Sequence, residues 1–237
     1  MTTARPLPIA LLLAALGASG AAAQDMPGDV SASGNEPFWR VEIEGDTFTL
    51  MRPDFDPLFL SVIDRQTRED GTHVIVSASS SPALQAFLSL GAGPCNDTMA
   101  DQTYPFTAEL ALGDTVLNGC GGDPRDLLTS TDLWTVTRIA GAAPVEGTEV
   151  TLGFDAEGRV AGSGGCNRFT GSYEITGEGM SFGPAASTRM ACPAEIMAQE
   201  QAFFTALGQV ISFDIGEAGE LILRGPEGPV VRAVPRA

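Results

Sequence analysis

The stretch SGGCNRFTGSY, Ser163 to Tyr173, ends a glycine-rich run with Cys166-Asn167 and then begins to alternate. A glycine-rich strand end permits a sharp bend and close backbone approach. A Cys placed there ties the bend to a distant segment, and the Asn after it is a natural turn residue, because its side chain bonds nearby backbone. About seventy residues earlier the chain writes a related phrase, GPCNDTMADQTY, Gly93 to Tyr104. The likeness beyond Cys-Asn is thin. It fits one kind of staple used in two modules, or an old duplication.

Outward from these phrases the chain reads as strands. FWRVEIEGDTFTLMRP alternates about Gly45-Asp46, which suits a tight hairpin, and FLSVIDRQ, THVIVSAS, YPFTAELAL and TVLNGC continue the pattern. SPALQAFLSLGAG reads equally as a short helix or a strand. The stretch GGDPRDLLTSTD, Gly121 to Asp132, has the composition of a linker. Beyond it, LWTVTRIAG, EVTLGFDAEGRVAGSGG and RFTGSYEITGEGMSFG are strand-like, as are VISFDI, ELILRG and PVVRAV near the end. The exception is PAEIMAQEQAFFTAL: Ile196, Met197, Glu200, Phe203, Phe204 and Leu207 fall at helical spacing with one acidic interruption, and Pro193 suits the first turn. The predicted fold class is mainly β: two small antiparallel β domains, barrel- or sandwich-like, the C-terminal one with a single amphipathic α-helix. The expected domains are residues 24–122 and 130–237.

Residues 1–23 have the layout of a cleavable export signal: Arg5, an apolar run from Pro8 to about Gly17, and the small-residue site Ala21-Ala22-Ala23. Its removal takes the formal net charge from −17 to −18, since the segment carries one Arg and no acid. No Cys stands at the cleavage site for lipid attachment, and no apolar run reaches the ~18 residues of a membrane span. The expected location is the periplasm or the medium. All 13 basic residues are Arg, against 30 acids. Such a chain repels nucleic acid and anionic lipid, and favours either plain solubility or a cationic partner.

Four cysteines, Cys95, Cys120, Cys166 and Cys192, allow three connectivities. One pair per module gives Cys95–Cys120 and Cys166–Cys192, each worth about 3.5 kcal/mol in the chain-entropy estimate. Zinc needs short Cys spacings and usually His, and His73 is the single His. No cofactor or metal is expected.

GCNRFTGSY (Gly165 to Tyr173) and STRMACP (Ser187 to Pro193), with the helix after them, resemble the META domain, the family that includes bacterial heat-shock proteins of the HslJ type. The resemblance covers roughly Ser130 to Ala237. It implies a small β-barrel-like domain with one helix and an association with envelope stress, and it brings no catalytic residues. GNEPFWRVEI, CNDTMADQTYPFTAEL and LNGCGG resemble an uncharacterised domain of secreted bacterial proteins, which adds architecture only.

The residues offer little catalytic chemistry. His73 lies in a strand-like segment with no second His and no Gly-x-Ser-x-Gly elbow. Asp54 and Asp56 form an acidic pair, but Pro53 and Pro57 bracket them as a surface turn. Asn96-Asp97-Thr98 matches a glycosylation sequon that carries little weight beside bacterial resemblances. The candidate ligand-binding residues are Asn167, Arg168 and Arg189. The two guanidinium groups flank one expected disulfide and suit a carboxylate or phosphate, unless ion pairs with Glu174 or Glu195 absorb them. The expected function is a non-enzymatic, stress-associated envelope protein that binds a protein, peptide or envelope component, its oligomeric state open. The alternatives are an inhibitor of a cationic cell-wall hydrolase of the lysozyme type, and a hydrolase using Asp54, Asp56 or His73.

Overall fold

The computed structural model describes residues 26–81, 83–97 and 102–236; the expected export signal over residues 1–23 and Thr98 of the sequon lie outside them. The chain begins with eight antiparallel strands. They are β1 (Val30–Asn35), β2 (Phe38–Glu44), β3 (Thr47–Met51), β4 (Leu58–Thr67), β5 (His73–Ser80), β6 (Ala83–Asp97), β7 (Gln102–Leu112) and β8 (Thr115–Gly121). Each strand pairs with the next, and β1 pairs with β8 through Ala32↔Gly121 and Ser33↔Cys120, closing a barrel. Full closure removes the free edges that open sheets must otherwise protect.

Alternation drives this half. Trp39, Val41 and Ile43 of β2 point inward, and so do Phe48 and Leu50 of β3, while their neighbours face out. Gly45 turns the hairpin between them at φ 54, where a side chain would be strained. The ambiguous SPALQAFLSLGAG is strand: Ala86, Leu88 and Leu90 of β6 all enter the core. Its Ala and Leu content suits a helix locally, but pairing on both edges and an inner apolar face override that preference. Trp39 is fully buried, and its indole N–H donates to Asn118 O at 3.2 Å.

The stretch with linker composition is folded. Pro124–Leu128 forms a short helix, α1, capped by the Asp123 side chain. Leu127 and Leu128 are buried in the core of the second half, and Trp134 Nε1 donates to Leu128 O at 2.8 Å. The apolar Leu127-Leu128 pair accounts for the difference, because it needs a core to enter.

The second half holds β9 (Trp134–Ile139), β10 (Val150–Phe154), β11 (Arg159–Gly164), β12 (Arg168–Thr176), β13 (Gly179–Phe182) and the two-residue β14 (Ala186–Ser187). The helix α2 (Ala194–Leu207) follows, then β15 (Ser212–Ile215), β16 (Leu221–Gly225) and β17 (Gly228–Pro235). The antiparallel sheet runs β13-β12-β11-β10-β9-β17-β16-β15, with β14 paired to β12. Its ends curl together, and Met180 N donates to Ile211 O at 2.8 Å. α2 packs into this curved sheet through Phe203, Ala206 and Leu207, with Phe169 edge-on to Phe203 and Phe204. Pro193 is the N-cap of α2, one position before its first turn. The two halves have separate hydrophobic cores. They touch where Thr103 Oγ1 lies 3.2 Å from Phe213 O and 3.0 Å from Asp214 Oδ1.

Candidate functional site

The disulfides join Cys95 to Cys120 and Cys166 to Cys192. Around the second, the hairpin between β11 and β12 meets α2 and the strap that precedes it. Asn167 is 2 % exposed. Its backbone N–H donates to Glu200 Oε2 at 2.7 Å, and its Nδ2 donates to Glu200 Oε1 at 2.8 Å. Its Oδ1 accepts from Thr188 Oγ1 at 2.9 Å and from Met190 N at 2.7 Å. The side chain is thereby engaged by the fold. The expectation of a ligand contact through Asn167 gives way to an interior role: it clamps hairpin, helix and strap together.

Glu200 is the acid that interrupts the apolar face of α2, and it is 6 % exposed. A buried carboxylate is costly unless hydrogen-bonded, and Asn167 supplies both bonds. The backbone must come close for this to work. A Cβ on Gly164 would stand 2.7 Å from Glu200 Cγ, so only glycine fits. Gln199 supports the same corner, its Oε1 accepting from Val145 N at 2.5 Å. Sequence reasoning passed over Glu200, Thr188 and Gln199. The one signal was an acid at a core position of the helix.

Arg168 and Arg189 lie on either side of this clamp, and both are exposed. Arg168 stands on the outer face of β12, over an open groove of about 790 Å3 floored by Gly153, Ala161, Ser163 and Thr170. Two other Arg residues border the groove and are already neutralised. Arg159 pairs with Asp155 at 2.6 Å and Arg236 with Glu149 at 3.1 Å. The Arg159 backbone N–H, with help from its guanidinium, holds the Asp155 carboxyl below its ordinary range. Arg125, Arg224 and Arg232 also make ion pairs, and Arg138 donates to Thr137 O. Among the described residues of the C-terminal half, Arg168 and Arg189 are thus the guanidinium groups without an ion pair or side-chain hydrogen bond. Neither Glu174 nor Glu195 takes them up.

The remaining candidates are not brought together. Asp54 and Asp56 occupy an exposed turn between β3 and β4. His73 is inside the first barrel, 1 % exposed, with Nδ1 3.0 Å from Thr67 Oγ1 and its ring edge-on to Phe106. Its Nε2 and the hydroxyl of buried Ser77 have no hydrogen-bond partner among the described residues. No cluster of three or more His, Cys, Asp or Glu among the described residues is placed to hold a metal ion. A second cleft of about 500 Å3 lies between the halves, bordered by Arg40, Gln102, Tyr104, Arg125 and Tyr173. Its guanidiniums are paired, Arg40 with Glu42 and Arg125 with Asp123. Burial pushes the Tyr173 phenol up to about 12, and its hydroxyl donates to Asp155 O at 2.6 Å.

A closed barrel joined to a helix-plugged curved sheet, each with one disulfide, defines a two-module, mainly β protein. The model of the META domain family matches residues 126–237, and the C-terminal half of the chain is a META domain. The match takes in Leu127 and Leu128 of α1, in keeping with their place in the second core. An NMR structure of a protein from Burkholderia xenovorans is similar at 24% identity, covering 48% of this chain and 89% of that one with a TM-score of 0.39. No curated protein matches the chain. Among the described residues no helix is long and apolar enough to cross a membrane.

Proposed function

We propose that the protein is an exported, non-enzymatic binding protein of the cell envelope, associated with stress as its META resemblance implies. It engages its partner through the edge of the META domain around Cys166–Cys192. One observation carries this reading: in a chain of 30 acids, two guanidiniums beside one rigid staple have no ion pair among the described residues, while their neighbours are paired. An unpaired Arg on a fixed backbone suits a carboxylate or phosphate on a partner. His73 is buried in the first barrel, while Asp54 and Asp56 lie apart from it in an exposed turn, which supports binding over hydrolysis. The test is recovery of envelope components on the immobilised protein beside an Arg168→Ala/Arg189→Ala double variant. Specific partners should be retained by the first and lost by the second; equal recovery on both removes this edge from the site.

A second reading, inhibition of a cationic cell-wall hydrolase, draws support from the first barrel, where residues 26–122 hold fourteen acids against four Arg. Electrostatic attraction of that size steers a basic partner. A lysozyme activity assay with the pure protein separates the two, since the first reading expects no inhibition.

A further inference from the structure

The strap between β13 and α2 is exposed without a break from Ala185 to Ala191. A run like that is ordinarily loose, having few buried contacts to order it. This one is held on both sides of a single residue. On the N-terminal side, β14 pairs with β12, Thr188 N donates to Arg168 O at 3.0 Å, and Thr188 Oγ1 donates to Asn167 Oδ1 at 2.9 Å. On the C-terminal side, Met190 N donates to the same Asn167 Oδ1 at 2.7 Å, and Cys192 is bonded to Cys166. One buried amide oxygen therefore grips Thr188 and Met190, the two neighbours of Arg189. Arg189 itself has neither a hydrogen bond nor an ion pair among the described residues, and Met190 beside it is 55 % exposed.

We propose that this strap is a substrate-like inhibitory loop that docks in the active-site cleft of an arginine-selective serine peptidase, with Arg189 entering the specificity pocket. The inference rests on the binding reading above and names its partner: the anion that Arg189 meets is the carboxylate at the base of such a pocket. Peptidases of this class hold substrates extended against their own strands. Among the described residues β14 is bonded to β12 alone, which leaves its other edge open to such pairing. A loop already fixed loses little conformational entropy on docking, the main advantage of a preorganised binder.

The same pins explain why docking outlasts cleavage. Hydrolysis adds water across the Arg189–Met190 peptide bond, leaving a carboxylate on Arg189 and an amine on Met190. The new carboxyl end stays tied through Thr188 and β14, and the new amine end stays tied through Asn167 and Cys192–Cys166. The amine cannot diffuse from the acyl-enzyme, so re-formation of the bond competes with release. An unpinned loop with the same sequence would be an ordinary substrate.

Trypsin is the probe, with the full oxidised chain titrated against hydrolysis of a chromogenic Arg substrate. Competitive inhibition in the micromolar range or tighter is expected. Arg189→Ala should weaken it at least 100-fold, and Arg189→Leu should transfer it to chymotrypsin, with thermal melts of both variants unchanged. Inhibition that survives in Arg189→Ala overturns the proposal. So does an oxidised wild-type protein that is cut rapidly after Arg189, or that leaves trypsin uninhibited at 100-fold molar excess. If trypsin is unaffected while the Arg168→Ala/Arg189→Ala variant still loses its envelope partner, the peptidase assignment falls and the binding reading stands; failure of both experiments removes both.

Discussion

Cys95-Asn96 and Cys166-Asn167 begin alike in the chain and end in opposite places. The first bridge reaches across β7, since Cys95 pairs with Tyr104 on one edge of that strand and Cys120 with Thr107 on the other. It staples three strands that backbone hydrogen bonds already hold. Asn96 beside it is exposed, 3.5 Å from Asp214 Oδ1 of the other half. The second bridge ties a hairpin to a strap that has only a two-residue strand of its own, and Asn167 is driven inside to meet Glu200. The same dipeptide thus reinforces a finished barrel in one module and organises an exposed edge in the other. The difference comes from what stands opposite: a second strand for Cys95-Asn96, a buried carboxylate for Cys166-Asn167.

This contrast should be largest on removal of the amides. Asn167→Ala strips Glu200 of a side-chain donor and Thr188 and Met190 of their acceptor, and should cost the C-terminal half about 3–4 kcal/mol in urea unfolding. Asn96→Ala should cost no more than about 0.5 kcal/mol. Equal losses would erase the distinction between the two staples.

Next in size are the bridges. Replacing either Cys pair by Ala should lower stability by about 3 kcal/mol, because both close loops of similar length. The variants should part under limited proteolysis. Losing Cys166–Cys192 should expose cleavage sites within residues 185–192, whereas losing Cys95–Cys120 should create no new early cuts near β6 or β8.

Alkaline pH separates the halves through Tyr173. Its phenol, pushed up to about 12 by burial, stays protonated in the folded state while the unfolded phenol ionises near its ordinary value of 10.0. The unfolded chain then binds fewer protons, so this contribution is fully present below pH 10 and is lost as pH rises toward 12. The loss should be at most about 2–3 kcal/mol, confined to the C-terminal half and absent in Tyr173→Phe. A pH melt series that falls equally in the variant would assign the loss elsewhere.

The smallest effect concerns the first barrel. Ser77→Ala removes a buried hydroxyl without a partner among the described residues and should raise stability by up to about 1 kcal/mol. Destabilisation would mean that the hydroxyl is satisfied in solution.

The alternation of FWRVEIE and the Gly45-Asp46 turn made β2 and β3 readable from sequence alone, since a half-buried strand writes its burial directly as period two. Barrel closure was out of reach. It rests on two residue pairs between β1 and β8, separated by nearly ninety positions, and no local pattern encodes that meeting. The clamp was half legible. Cys-Asn and the unusual Glu200 were visible, but their partnership spans 33 residues and arises only when α2 packs against Gly164. Arg168 and Arg189 were legible as a pair beside a bridge, and their lack of neutralising acids became evident only once the sheet placed Asp155 and Glu149 on other Arg residues.

Amide hydrogen exchange at Thr188, Arg189 and Met190 tests most directly whether Asn167 makes a rigid edge out of an exposed strap. In the oxidised wild-type protein the Thr188 and Met190 amides should be protected, the Arg189 amide between them should exchange near the free-peptide rate, and in Asn167→Ala protection at Met190 should vanish. Met190 exchanging as fast as Arg189 in the wild type would contradict the account.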